Sequence, residues 1–327
     1  MRRLKGEKVR KMEEQDTAIF GRKIFFVKPP FNIENFVLPA LQDLEYEAFI
    51  IPSYKYAKSL LKLFPTAICF FNIDEELSVD SWINFLMSFQ TDPVLSKVII
   101  GAYSSAVRKL DKNKFLLNTN LPAGFITYSV ATEEFKQNII SVLNINGAKG
   151  QRKYIRADCS TSESIAAQCN IGGTVYPMKL LDISSVGFSC IIPSAAMKYV
   201  QVNSVIRDVV ISLFLKKIRV SGAVIMIKEK NGKSILVMLF TKGMPEAAKK
   251  SIREYIRSYG QSLIDANFVP AQEDKQDYST MPEDCKPKEQ GEDVLEEHLP
   301  DLQEPDEEDT AKNSSFQTSD IETTSLF

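Results

Sequence analysis

At 327 residues, 44% hydrophobic and 25% charged, the chain is long enough for about two domains with separate cores, and its composition is neither that of a membrane bundle nor that of a wholly disordered polymer. The formal charge of −2 conceals a split: residues 271–327 carry 18 acidic and 4 basic side chains, which leaves +12 on residues 1–270 and favours anionic partners for that body. The single histidine, His298, lies in the acidic part, so Ser-His-Asp and Cys-His catalysis, His-containing zinc sites and His proton shuttles are excluded from the body.

The chain starts with a basic extension over residues 1–20. Six of its first eleven residues are basic, and Met12-Glu13-Glu14-Gln15-Asp16 follows where a signal peptide needs an apolar run. The longest apolar stretches are strand-sized, short of the ~20 residues of a membrane span, so neither a targeting segment nor a membrane span is expected. The five cysteines contain no C-x-x-C pair. Four of them, Cys69, Cys159, Cys169 and Cys190, sit in apolar or strand-like stretches and read as reduced core thiols, in keeping with a cytoplasmic location.

From residue 21 to 146 strands alternate with helices. Ile24-Phe25-Phe26-Val27 is a buried strand closed by Pro29-Pro30. Phe36, Leu38, Leu41 and Leu44 recur at helical spacing, Ala48 to Ile51 is a second strand, and Tyr56, Leu60, Leu61 and Phe64 give a second helical face. Ala67 to Phe71 is a third strand, and Trp82, Phe85, Leu86 and Phe89 lie on a helix. Val98-Ile99-Ile100 and Phe125-Ile126 are the fourth and fifth strands, the last followed by a helix with Phe135, Ile139, Ile140 and Leu143. Continuous rather than alternating hydrophobicity predicts a parallel sheet covered on both faces.

Residues 147–156 read as a flexible basic linker with Gly147 and Gly150, and residues 151–266 change character. Tyr154–Cys159, Tyr176–Ile183, Gly187–Ile192, Val205–Phe214, Arg219–Lys228 and Ser234–Phe240 are predicted strands, with Asn231-Gly232 as a hairpin turn. Ile218 and Val220, then Ala223, Ile225 and Ile227, alternate. A closing helix carries the stripe Ile252, Tyr255, Ile256, Tyr259 and Leu263. Short turns without intervening helices predict an antiparallel barrel or sandwich. Residues 270–327, rich in acids, Pro and Ser/Thr, are expected to be disordered.

The strand–helix order of residues 21–146 resembles the receiver domain of response regulators, a flavodoxin-like fold, in degenerate form. Lys28-Pro29-Pro30 stands where a receiver has its acidic pair, and Thr127-Tyr128-Ser129 where it has a lysine. Ser104 or Ser105 matches the hydroxyl after the fourth strand, and Asp74 reads as a loop or helix-start residue rather than a phosphoacceptor. Without the acidic pair and the lysine, neither Mg²⁺ nor an acyl phosphate is well held.

Two further motifs carry chemistry. Arg152-Lys153-Tyr154-Ile155-Arg156 is R-x-x-x-R, and Asp182-Ile183-Ser184-Ser185-Val186-Gly187 is D-x-S-x-x-G between two predicted strands. Together, and in this order, they resemble the signature of the PilZ domain, a bacterial receptor module for cyclic di-GMP; the resemblance covers roughly residues 150–265. It implies a PilZ-type antiparallel β-barrel with a C-terminal helix over those residues; with the flavodoxin/receiver-like parallel-sheet domain before it and the acidic tail after it, the chain is expected to be α/β plus all-β. The resemblance further implies a non-enzymatic receptor that binds cyclic di-GMP through Arg152, Arg156, Asp182, Ser184 and Gly187, with Gln151, Lys153 and Ser185 as accessories and no cofactor or metal. Arginine forks bind phosphate or guanine O6/N7, and Asp182 can accept from a guanine edge. Gln151 stands where many members carry a basic or large apolar residue, a position that influences whether one or two ligands bind. Binding is expected to rearrange the two domains and to act on a downstream protein partner in control of motility, envelope or virulence behaviour. The alternative is a ligand-independent adaptor with a PilZ-like barrel.

Two other signals are discounted. Gly232-Lys233-Ser234 imitates the end of a P-loop, but Ile227 stands where its first glycine is required. Lys249, Lys250, Arg253 and Arg257 read as a solvated helix face, and nucleic acid is not an expected partner.

Overall fold

Strands that are buried along almost their whole length form the centre of the N-terminal lobe. β1 (Ile24–Val27), β2 (Ala48–Ile51), β3 (Ile68–Asn72), β4 (Ile99–Ser104) and the short β5 (Phe125–Thr127) form a parallel sheet in the order β2-β1-β3-β4-β5, the flavodoxin-like order. The computed structural model describes residues 17–128, 132–161 and 165–280.

Both faces of this sheet are covered, so neighbouring residues of one strand enter different cores. Ile24 and Phe26 pack with α1 (Leu38–Asp43, entered through a single π-helical turn, Ile33–Val37) and α5 (Thr132–Ile145). Phe25 and Val27 pack with α2 (Tyr54–Leu61), α3 (Val79–Thr91) and α4 (Lys109–Asn118). Sequence periodicity missed α4 because its amphipathicity is weak: Phe115 and Asp111 face inward, while Leu110, Leu116 and Leu117 are exposed. Phe36 and Leu44 were expected on the buried face of the first helix; both are exposed, and Ile33 and Val37 take the inward positions. The π turn rotates the face by widening the helix there.

The second lobe is a closed antiparallel barrel. β7 (Ile165–Ile171), β8 (Thr174–Ser184), β9 (Gly187–Ile192), β10 (Val205–Leu213), β11 (Lys216–Lys230) and β12 (Lys233–Phe240) pair in the order β8-β7-β10-β11-β12-β9, and β9 returns to β8. The outer strand β6 (Arg156–Asp158) adds to β8. The short helix α6 (Ser194–Met197) follows β9, and α7 (Glu246–Asp265) covers the core through Ala248, Ile252 and Tyr255. The Asn231-Gly232 hairpin is present, with φ +52° and +69°, the left-handed pair a tight two-residue turn requires. β7 escaped the sequence reading because Ala167 and Cys169 alternate with Ala166 and Gln168, leaving few large apolar residues to mark it. In β11 the inward residues are Ile218, Val220, Gly222 and Val224; Ile225 points outward. A bulge shifts the phase between Val224 and Met226, whereas the alternation placed the change between Val220 and Ala223.

The two lobes belong to one compact unit. The second half of α7 leaves the barrel and lies on β2, the free edge of the parallel sheet. Ile50 N–H donates to Gln261 Oε1 and Gln261 Nε2 donates to Ile50 O, both at 3.0 Å, so a side-chain amide caps the outer edge of β2. Arg257 donates to Asp43 and to Pro39 O (3.2 Å), and Ile264 joins the N-terminal core. Leu263, expected in the buried stripe, is half exposed.

The chain after α7 is also packed. Tyr278 is 2% exposed, inserted between Tyr54 and Phe85, with Asn84 Nδ2 donating to Tyr278 O at 2.9 Å. Lys58 donates to the Tyr278 hydroxyl and lies 3.4 Å from Asp274. Residues 270–280 therefore belong to the folded unit, contrary to the expectation of disorder from residue 270; one aromatic ring in a polar segment was too little periodicity to read. Residues 281–327, with Cys285 and His298, lie outside the described residues, as do 1–16. Among the described residues, no helix is long and apolar enough to cross a membrane.

Candidate ligand site at the junction of sheet and barrel

Strand pairing brings the two motifs together. β6 runs antiparallel to the end of β8 with Arg156 opposite Ser184 and Asp158 opposite Asp182. Arg156 Nη1 lies 3.3 Å from Asp182 Oδ1, and Asp182 Oδ2 accepts from Ser189 Oγ at 2.6 Å. Asp182 is next to a register shift in the β8–β9 pairing, which breaks the regular alternation of the strand there.

Ser184 and Gly187 flank the two-residue β8–β9 turn. The Ser184 hydroxyl is buried, donates to Gly187 O at 3.0 Å and accepts from Val186 N–H at 3.4 Å, so it holds the turn. A Cβ on Gly187 would stand 2.2 Å from Met238 O of β12. The close backbone approach that this glycine permits is thus made by a neighbouring strand. Ser185, the next hydroxyl, points toward the N-terminal lobe.

Arg152 is not part of β6. Gln151 N–H donates to Ala18 O (2.8 Å) and Arg152 N–H to Ile19 O (2.9 Å), and the Arg152 guanidinium lies 4.5 Å from the centre of the Phe20 ring. The expected flexible linker has fixed partners throughout. Ala148 O accepts from Arg22 N–H at 2.8 Å, and Ala148 is buried. Lys149 lies over Tyr46 (4.6 Å) and Lys153 over Tyr154 (5.4 Å). Three of the four cations thus rest on aromatic faces and the fourth on a carboxylate, which offsets the mutual repulsion that their sequence spacing suggests. Because the chain turns between them, the two arginines do not share one strand face.

A residue outside both motifs completes the arrangement. Glu45, just after α1, accepts from Ile155 N–H through Oε2 at 2.9 Å and from Ser185 Oγ through Oε1 at 2.7 Å. One carboxylate therefore ties the R-x-x-x-R segment to the D-x-S-x-x-G turn. Two cavities flank it. The larger, of about 350 Å³, is lined by Arg156, Asp158 and Ser185 with Phe49 and Tyr259 among its apolar walls. The smaller, of about 20 Å³, holds Arg152, Phe20 and Tyr154. Glu45 and Ile155 line both. No motif reading could find Glu45, since its only sequence signal is a charged residue at the end of a helix.

The receiver-like positions are occupied differently. Asn72 ends β3 and donates to Lys28 O at 2.9 Å. Asp74 sits in the following loop, where its carboxylate accepts from the Ser104 hydroxyl and from Ser105 N–H and Oγ, the last two at 2.8 Å. Its oxygens serve to hold the β4–α4 loop.

No protein-family model and no curated protein matches the chain. Among solved structures it is similar to the PilZ domain with c-di-GMP of YcgR from Escherichia coli, at 16% identity and a TM-score of 0.32, over 36% of this chain and 99% of that one. It is also similar to the inhibitor of motility MotI/DgrA of Bacillus subtilis, at 15% identity and a TM-score of 0.28, over 32% of this chain and 49% of that one. The MrkH–c-di-GMP complex of K. pneumonia follows at 13% identity and a TM-score of 0.31, over 36% of this chain and 55% of that one. The chain spans about half the length of the MotI and MrkH structures.

Proposed function

We propose that the protein is a non-enzymatic receptor for cyclic di-GMP of the PilZ type, with the ligand held where the barrel meets the parallel-sheet lobe. The observation that carries this reading is the convergence of the two motifs: residues 26 positions apart in sequence, Arg156 and Asp182, stand 3.3 Å apart on paired strands. A dianionic ligand with two guanines matches that chemistry. Arg152 and Arg156 offer planar forks to phosphate or guanine O6/N7, and Asp182 offers acceptors to guanine N–H groups. Arg152 already rests on an aromatic ring, an arrangement in which a purine face can take the place of Phe20. Ser184 and Gly187 build the turn that presents Ser185, with Gln151 and Lys153 beside the arginines. The output is a changed relation between the two lobes, read by a protein partner that controls motility, envelope or virulence behaviour.

A ligand-independent adaptor is the second reading. In its favour, Arg156, Ser184 and Ser185 all have partners within the chain. A calorimetric titration of the full chain with cyclic di-GMP separates the two. The receptor reading expects saturable binding that weakens at least about tenfold in Arg152→Ala and in Arg156→Ala, each of which removes charged hydrogen bonds of ~1.5–3 kcal/mol. Wild-type affinity in the folded double variant rejects the site, and no binding by the wild type rejects the receptor.

A further inference from the structure

Glu45 occupies a position that its side chain does not favour. The end of α1 is a Schellman motif: Tyr46 N–H donates to Leu41 O and Glu45 N–H to Gln42 O, both at 3.0 Å. In this motif the residue after the C-cap takes a left-handed conformation, for which glycine is preferred. Here that residue is Glu45, with φ +63°. A glutamate at this place costs backbone energy that glycine avoids, and the conformation aims its carboxylate at the two motif donors.

We infer that Glu45 is a latch on the proposed ligand site: its carboxylate holds the site closed by bonding Ile155 N–H and Ser185 Oγ, and an anionic cyclic dinucleotide must displace it to bind. This inference rests on the receptor reading above. Three features of the geometry lead to it. The carboxylate bonds one donor from each motif, so while those bonds last both donors are withheld from a ligand. Glu45 also stands, with Tyr46, Glu47 and Ile155, between the recess holding Arg152 and the cavity lined by Arg156, and its side chain is the part of that wall that bonds across to the barrel turn. A single ligand gripped by both arginines therefore needs that partition removed. Finally, a carboxylate between two arginine arms is the charge that a phosphodiester replaces, and the two anions repel at close range.

The latch also explains how binding becomes a signal. Glu45 belongs to the sheet lobe, and Ile155 and Ser185 to the segment and turn of the barrel. Its release removes a tie between the lobes and leaves the contacts of α7 with Asp43 and Ile50 as a hinge. The ligand thus shifts a closed population to an open one by its differential affinity.

The test uses two variants that the Schellman position tolerates. Glu45→Gly removes the side chain and relieves the left-handed backbone. Glu45→Asp keeps the charge, accepts positive φ more readily than most residues, and is one methylene too short to span both donors. Both should keep the wild-type circular dichroism and melting temperature. In calorimetric titrations with cyclic di-GMP at one salt concentration, both variants are expected to bind about fivefold tighter than wild type, or more, with Glu45→Gly the tighter of the two. Amide exchange across residues 153–157 should be faster in both ligand-free variants. Affinities equal to or below wild type in both overturn the latch and leave the receptor standing. Tightening in Glu45→Gly alone shows a bare charge effect and also overturns it. Binding by neither wild type nor variants removes the receptor reading and the latch with it.

Discussion

Arg156 and Asp182, at the proposed ligand site, show how little an exposed ion pair need contribute to the fold. Their side chains are 44% and 31% exposed, so water screens the pair, which should stabilise the protein by no more than about 1 kcal/mol. Asp182→Asn, which removes the charge and keeps an oxygen to accept from the buried Ser189 hydroxyl, is therefore expected to leave the melting temperature nearly unchanged while weakening cyclic di-GMP binding, with less loss of salt dependence than either arginine variant. A large fall in melting temperature would instead make Asp182 a structural residue. The buried thiols behave in the opposite way. Burial pushes Cys159 and Cys169 up to about 11 and Cys190 to about 12, and Cys69 well above its ordinary value, because the interior cannot solvate a thiolate. At pH 8 these four are almost wholly protonated in the native state. Iodoacetamide should leave them unmodified in native protein and alkylate them in urea, with mass spectrometry of the peptides as readout. Rapid native labelling of any of them contradicts the burial.

At the scale of elements, α7 is the part that makes two lobes one unit. Its first half fills the barrel core and its second half meets the free edge of β2. Gln261 is the residue on which the edge contact turns, since it satisfies both main-chain groups of Ile50. Gln261→Ala leaves a donor and an acceptor without partners in a half-buried contact, at a cost of about 1–2 kcal/mol. The loss should appear in urea denaturation as a lower midpoint and in hydrogen exchange as earlier opening of β2, with the barrel strands unaffected. The β8–β9 turn gives a second case. Gly187→Ala drives a methyl group into Met238 O, 2.2 Å away, so β9 and β12 must separate. Overpacking of this kind costs about 1–3 kcal/mol, and the variant should lose stability even without ligand, which distinguishes it from Asp182→Asn.

For the whole molecule, the folded unit extends past α7. Tyr278 is held between Tyr54 and Phe85, so the polar segment after α7 acts as a strap over the sheet lobe. A chain ending after Thr280 should keep its melting temperature, since residues 281–327 hold 15 of the 18 acids of the tail and few large apolar groups to bury. A chain ending at Glu273 loses Tyr278 and Asp274 with it. By analogy with buried aromatic truncations this costs about 3–5 kcal/mol and lowers the melting temperature by several degrees. Equal melting temperatures for the two truncations would show that the strap adds nothing.

What the sequence by itself determined was set by local chemistry. The parallel sheet was legible because strands such as Ile24–Val27 are apolar at every position, as burial on both faces demands. The barrel was legible from its hairpins, Asn231-Gly232 among them, and the two motifs were legible because together, in this order, they are rare, although R-x-x-x-R alone is common. Tertiary structure alone decided the rest, since it depends on contacts between residues distant in sequence. It set the phase of β11 through a bulge, the buried face of the first helix through a π turn, and the docking of Tyr278 across more than 190 residues from Asn84. In place of the flexible basic linker that was expected, it seats Arg152 on Phe20 and Lys149 on Tyr46. It also brought Glu45 to Ile155 and Ser185, 110 and 140 residues away. A pattern read along the chain reports which face a residue prefers; it carries no distance between lobes, and this site is built from such distances.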